Sequence, residues 1–210
     1  MGGRGSNSFG GGGLSGGLDP ADIVTTTSLI SERERHPEEV DATLAVLRDV
    51  QAEYGVVVED ALVSVLKGKG RSTLGYYDFN GNLALNQNFF DTKRMNQAYD
   101  NCGNFHPGRG SKSAIEAVAA HEMGHRLTDV AAVNAGMGAW QLDALSTNIV
   151  KEAAKKTGYK GYKKFAAKIS GYAKSNCAEC VAEAFADVYC NGANARRESR
   201  AVIIELKKFF

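Results

Sequence analysis

The chain has 210 residues, 43% hydrophobic and 23% charged, with 25 Lys and Arg against 24 Asp and Glu. That composition suits one soluble globular domain with a substantial core. The net charge of +1 gives no global attraction to nucleic acid or to an anionic membrane, and no run of 18 apolar residues is present to cross one.

Residues 1–18 are Gly/Ser-rich, with only Phe9, Leu14 and Leu18 to bury, and such a stretch cannot offset its backbone entropy. A disordered leader over residues 1–30 is therefore expected, followed by one folded domain over 31–210. The opening lacks the apolar core of a secretory signal, so the expected location is the cytoplasm, or carriage with a virion or larger particle. From Pro37, Val40, Leu44, Leu47, Val50 and Tyr54 recur at three and four residues and predict an amphipathic helix ended by Gly55. Val56–Val58 and the stretch around Val63 and Val65 are candidate short strands.

Asn80-Gly81 lies between Tyr76–Phe79 and Asn82–Leu85 and predicts a hairpin with a type I′ turn. Residues 91–112 read as irregular, broken at Cys102-Gly103 and His106-Pro107-Gly108. Ser113 and Glu116 form a capping box that starts a helix through Ile115, Val118 and Met123 to about Leu127. Further helices are expected over 140–157, 159–170, from Ser175 or Asn176 to Tyr189, and from Asn194 to Phe209. The pattern is α+β, a small N-terminal sheet followed mostly by helices.

The capped helix carries His121-Glu122-Met123-Gly124-His125. Histidines four apart project from one helical face, where their imidazoles can grip a single zinc ion. This is the H-E-x-x-H pattern of zinc hydrolases, whose glutamate acts as general base on the attacking water. A catalytic zinc needs a third protein ligand. Asp129, one turn further on, is poorly placed to reach the same ion. Glu179, Glu183 and Asp187 are spaced by four among Ala178, Ala182, Phe185 and Ala186. Carboxylates so close to small and apolar residues suggest a partner, against the alternative of a solvated acidic stripe. Spacing alone does not say which of them is the ligand.

HEMGH paired with this distal helix resembles the lethal factor-like zincins, the group of the anthrax lethal factor catalytic domain and the clostridial Pro-Pro endopeptidases. The resemblance covers roughly residues 113–210. It is most specific over Tyr162-Lys163-Lys164-Phe165, Ser170-Gly171-Tyr172 and Ala178-Glu179 through Phe185, with a tyrosine seven residues before the ligand glutamate. It implies a zincin-like catalytic domain over 31–210 holding one Zn2+ through His121, His125 and Glu179, with Glu183 orienting a histidine from behind. It implies Glu122 as base and Tyr172 as hydrogen-bond donor to the oxyanion. The expected activity is zinc-dependent endopeptidase cleavage of a protein or peptide, as a toxin or effector would perform it. The alternative is a catalytically silent zincin scaffold serving as a structural or binding protein of a phage particle.

The Tyr76–Leu85 hairpin is a candidate edge for an extended substrate. Lys151 through Lys168 read as a solvated face, and Cys102, Cys177, Cys180 and Cys190 as free thiols. His106 lies in a loop with no evident metal partner.

Overall fold

A computed structural model of the protein describes residues 4–7, 22–78, 80–138 and 141–210. The fold is α+β, and the chain divides into two compact units, residues 1–103 with 112–123 and residues 104–111 with 124–210. Among the described residues no helix is long and apolar enough to cross a membrane.

The first unit holds β1 (Arg4–Asn7), β2 (Ile23–Ser28), α1 (Pro37–Tyr54), β3 (Ala61–Leu66), β4 (Thr73–Tyr77), β5 (Leu83–Asn86), α2 (Thr92–Asp100) and the start of α3 (Ala114–Asn134). Its sheet has the order β1-β4-β5-β3-β2, with β3 and β5 parallel and the other pairs antiparallel. β4 and β5 are buried along their whole length, so the middle of the sheet belongs to the core.

Within the leader expected over 1–30, Arg4–Asn7 pairs with β4 and Ile23–Ser28 with β3; residues 1–3 and 8–21 lie outside the described residues. Backbone pairing explains the difference, because a stretch with few side chains to bury still offers its N–H and C=O groups to a sheet edge. Val56–Val58 is a connector in which Val56 is buried and Val57 exposed, with no strand formed. β-Branching sets a local preference that the pairing order of the sheet overrides.

The Tyr76–Leu85 hairpin exists, but it is not an edge: β1 lies against β4, and β3 against β5. Its loop is also longer than a two-residue turn, running from the Tyr77–Leu83 pair over residues 78–82. The Asp78 carboxylate accepts from the backbone N–H of Asn80 (2.9 Å) and Asn82 (3.0 Å), and Gly81 takes the positive φ. A side-chain cap of this kind competes with the tighter turn. Residues 92–100, expected to be irregular, form α2, whose N-cap Asp91 accepts from the N–H of Arg94 at 2.8 Å. Its buried face is Met95, Ala98 and Tyr99, a helical spacing that the breakers further along the segment obscured.

The capping box of α3 forms as read. Ser113 N donates to Glu116 Oε2 at 2.8 Å, and Glu116 N to Ser113 Oγ at 3.2 Å. The helix then runs past Leu127 to Asn134. It stops at Gly136 (φ 70°), where Met137 N donates to Ala132 O and Gly136 N to Val133 O, both at 2.9 Å.

The second unit contains the remainder of α3, then α4 (Leu142–Lys156), α5 (Tyr162–Ile169), α6 (Cys177–Asn191) and α7 (Arg197–Leu206). Asn176 caps α6, accepting from Glu179 N at 2.8 Å. Asp187, buried on α6, ties it to the start of α7. It accepts from Ser199 Oγ (2.6 Å), Arg196 N (3.0 Å), Arg196 Nη1 (3.2 Å) and Asn191 Nδ2 (2.8 Å). Replacing Asp187 by Ala strands the buried Ser199 hydroxyl and the Arg196 N–H together, so a loss of about 3 kcal/mol is expected. Urea unfolding should register it as a lower midpoint at unchanged slope.

Candidate metal centre

The HEMGH pentad occupies the middle of α3, two turns beyond its cap. His121, Glu122 and His125 are 2%, 0% and 0% exposed. One donor atom from each of the three lies within 4.8 Å of the others. Their burial follows from how tightly the helix is packed at two glycines. In the first unit, a Cβ on Gly75 of β4 would meet Val118 Cγ1 at 2.6 Å and Glu122 Oε1 at 3.2 Å. The strand therefore passes over the helix at the Glu122 carboxylate, where only glycine leaves room. In the second unit, a Cβ on Gly124 would come within 2.7 Å of Ala182 Cα and 3.2 Å of Phe185 Cβ. Here α3 and α6 approach backbone to backbone, and small residues at the crossing set that short distance.

The crossing brings α6 to His125. Glu179 Oε2 lies 3.3 Å from His125 Nε2, with both side chains buried. One turn along α6, Glu183 Oε1 is 3.0 Å from Nδ1 of His106. His106 is 4% exposed, with the ring of Tyr172 edge-on at 5.8 Å. Tyr172 is itself buried and stacked on Phe105 at 5.0 Å. Gly171 holds this wall in register through its N–H to Asn104 O, 2.8 Å.

The solvated-stripe alternative does not hold: Glu179, Glu183 and Asp187 are all buried. The three carboxylates face three different partners, His125, His106 and the start of α7. Asp187 accepts from four donors, and Asp129 is half-buried one turn beyond His125. The histidine beside Glu183 is His106, which the sequence reading left without a partner. Nothing in spacing joins two residues 77 apart. Gly124, which the H-E-x-x-H pattern leaves unspecified, is the packing contact.

All four cysteines are free thiols. Burial pushes the thiols of Cys177 and Cys180 above their ordinary range, Cys180 by far the more, so neither is poised as a thiolate. Burial foremost, with the neighbouring Cys180, Cys177 and Glu179, also holds the Tyr162 phenol protonated.

The donor set suits zinc. His121, Glu122 and His125 offer buried nitrogen and oxygen donors close enough together to hold one metal ion, and zinc takes donors of these kinds. Compared with protein-family models, with curated proteins and with solved structures, the chain has no match in any of the three.

Gly124→Ala should force α3 and α6 apart, because the atom it meets first is the backbone Cα of Ala182. A loss of about 2 kcal/mol in urea unfolding is expected, together with weaker binding in a Zn2+ titration. Retention of both would show that the crossing does not govern the approach of Glu179 to His125.

Proposed function

We propose that the chain is a zinc-dependent endopeptidase of the lethal factor-like zincin type, acting on a protein or peptide substrate. One observation carries the reading: Glu179, from a distant helix, lies 3.3 Å from His125 inside the H-E-x-x-H helix, in a buried setting. A buried carboxylate against an imidazole needs a shared proton or a shared cation between them, and a cation would also engage His121, one turn away on the same helix. His121, His125 and Glu179 would hold the ion. Bound there, it supplies a Lewis acid that polarises a carbonyl and makes water nucleophilic near neutral pH.

The remaining chemistry belongs to the chain. Glu122 takes the proton of the attacking water on its carboxylate and passes it to the departing amine. Its place under Gly75 fixes the carboxylate along the first unit's sheet. Tyr172 donates its hydroxyl to the oxyanion that develops on the substrate carbonyl. His106, paired with Glu183, and Phe105 both pack against the ring of Tyr172.

Metal analysis and chelator-sensitive cleavage of a peptide library test the reading together. Glu122→Gln should keep one zinc per chain and lose cleavage, whereas His121→Ala and Glu179→Ala should lose the zinc. Tyr172→Phe should keep the metal and lower turnover by about 10²–10³, the usual cost of one oxyanion donor. A Glu179→Ala protein that binds zinc as tightly as the parent would remove Glu179 as ligand. Zinc bound without any cleavage would favour the silent scaffold instead.

A further inference from the structure

The net charge of +1 conceals a division between the two units. Residues 104–111 and 124–210 carry fifteen Lys and Arg against eight Asp and Glu, while the rest of the chain carries ten against sixteen. Burial sharpens the contrast, since Glu179, Glu183, Asp187 and Glu205 are withdrawn from solvent. Among the described residues of the second unit, twelve Lys and Arg are exposed against only Asp143 and Glu152. A surface so one-sided carries a positive field over a Debye length or more.

That surface has a groove in it. A cavity of about 610 Å³ opens between the C-terminal end of α4 and one face of α7, lined by Lys156, Arg197, Arg200 and Ile204 above the buried Glu205. Arg197, Arg200 and Ile204 follow one another at three and four residues, which puts them on one face of α7. Ile204 is 61% exposed, an apolar side chain left in a cationic rim. Both guanidinium groups are anchored: Arg197 donates to Thr157 O, and Arg200 donates to Ala193 O at 2.5 Å. An anchored fork loses little entropy when its other N–H groups meet a carboxylate. Glu205 does not neutralise the groove, because Lys156 (2.6 Å) and Lys208 already pair with it.

We infer that this groove binds an acidic polypeptide segment, an apolar residue seated on Ile204 and flanking carboxylates on Arg197 and Arg200. Carboxylate and phosphate both fit a guanidinium fork. The exposed isoleucine, and a lining without an aromatic ring on which bases could stack, select peptide over nucleic acid. The inference does not rest on the peptidase reading. If that reading holds, the groove supplies a second contact for a substrate with an acidic stretch away from its scissile bond.

The test is fluorescence anisotropy on the full chain without added metal, so that loss of peptidase activity cannot affect it. The probe is a labelled peptide of acidic pairs separated by single leucines. The parent should bind it with an affinity that falls as salt rises. Arg200→Glu should weaken binding about 10-fold and Ile204→Ser about 3-fold, while Lys164→Glu on α5, outside the groove, should change it less than about 2-fold. Arg200 and Ile204 are exposed, so both variants should keep the parent's circular dichroism and thermal midpoint. Binding within 2-fold of the parent in both variants overturns the inference. So does tighter binding of a single-stranded oligonucleotide of equal charge. A salt-sensitive dimer in sedimentation that Arg200→Glu abolishes would also overturn it, by putting the acidic half of a second copy in the groove.

Discussion

The meeting of Gly124 with Ala182 is the constraint on which the site depends. Helices with larger residues at the crossing sit further apart, and each ångström of separation would carry Glu179 away from His125. Here the two backbones are close enough that a single added methyl has nowhere to go. The contact falls inside the pentad itself, so the residues that offer imidazoles and the residue that permits the approach belong to the same turn of α3. Gly75 does the corresponding thing in the first unit, where a strand crosses at Glu122. The spacing of the pentad thus sets packing as well as the placing of two imidazoles.

α6 shows how three like charges can be buried on one helix face. Each of Glu179, Glu183 and Asp187 is withdrawn from solvent, and mutual repulsion one turn apart would disfavour that arrangement if they shared an environment. They do not share one. Asp187 is held by neutral and cationic donors from the start of α7, Glu183 by the imidazole of His106, and Glu179 stands against His125. The helix is therefore a strut whose three carboxylates each meet a different partner. The alanines between the carboxylates let other elements come close enough to serve each one.

Local signals in the sequence were legible, and long-range ones were not. The Ser113–Glu116 box, the Asn176 cap and the periodicity of α1 and α6 depend on residues within a few positions of one another, and the structure has them as read. The α2 helix was missed because Cys102-Gly103 and His106-Pro107 dominated a segment whose first nine helical residues they do not touch. Val56–Val58 has strand propensity without a place in the pairing order. His106 could not be tied to Glu183, nor Gly124 to Ala182, since only the tertiary fold brings them together. The charge division between the units was hidden for a simpler reason: a total near zero averages two opposite surfaces.

β1 adds a point about the outer edge of β4. Arg4–Asn7 pairs along it from Tyr77 to Thr73, on the strand whose Gly75 passes over Glu122. An incoming strand competes with one tethered in the same chain, whose effective concentration does not change when the protein is diluted. Pairing with β4 from outside then waits on a unimolecular release, and its rate levels off however much of the outside strand is supplied. A cut after Asn7 would alter that balance at once, turning a covered edge into a bare row of backbone donors and acceptors open to any extended chain.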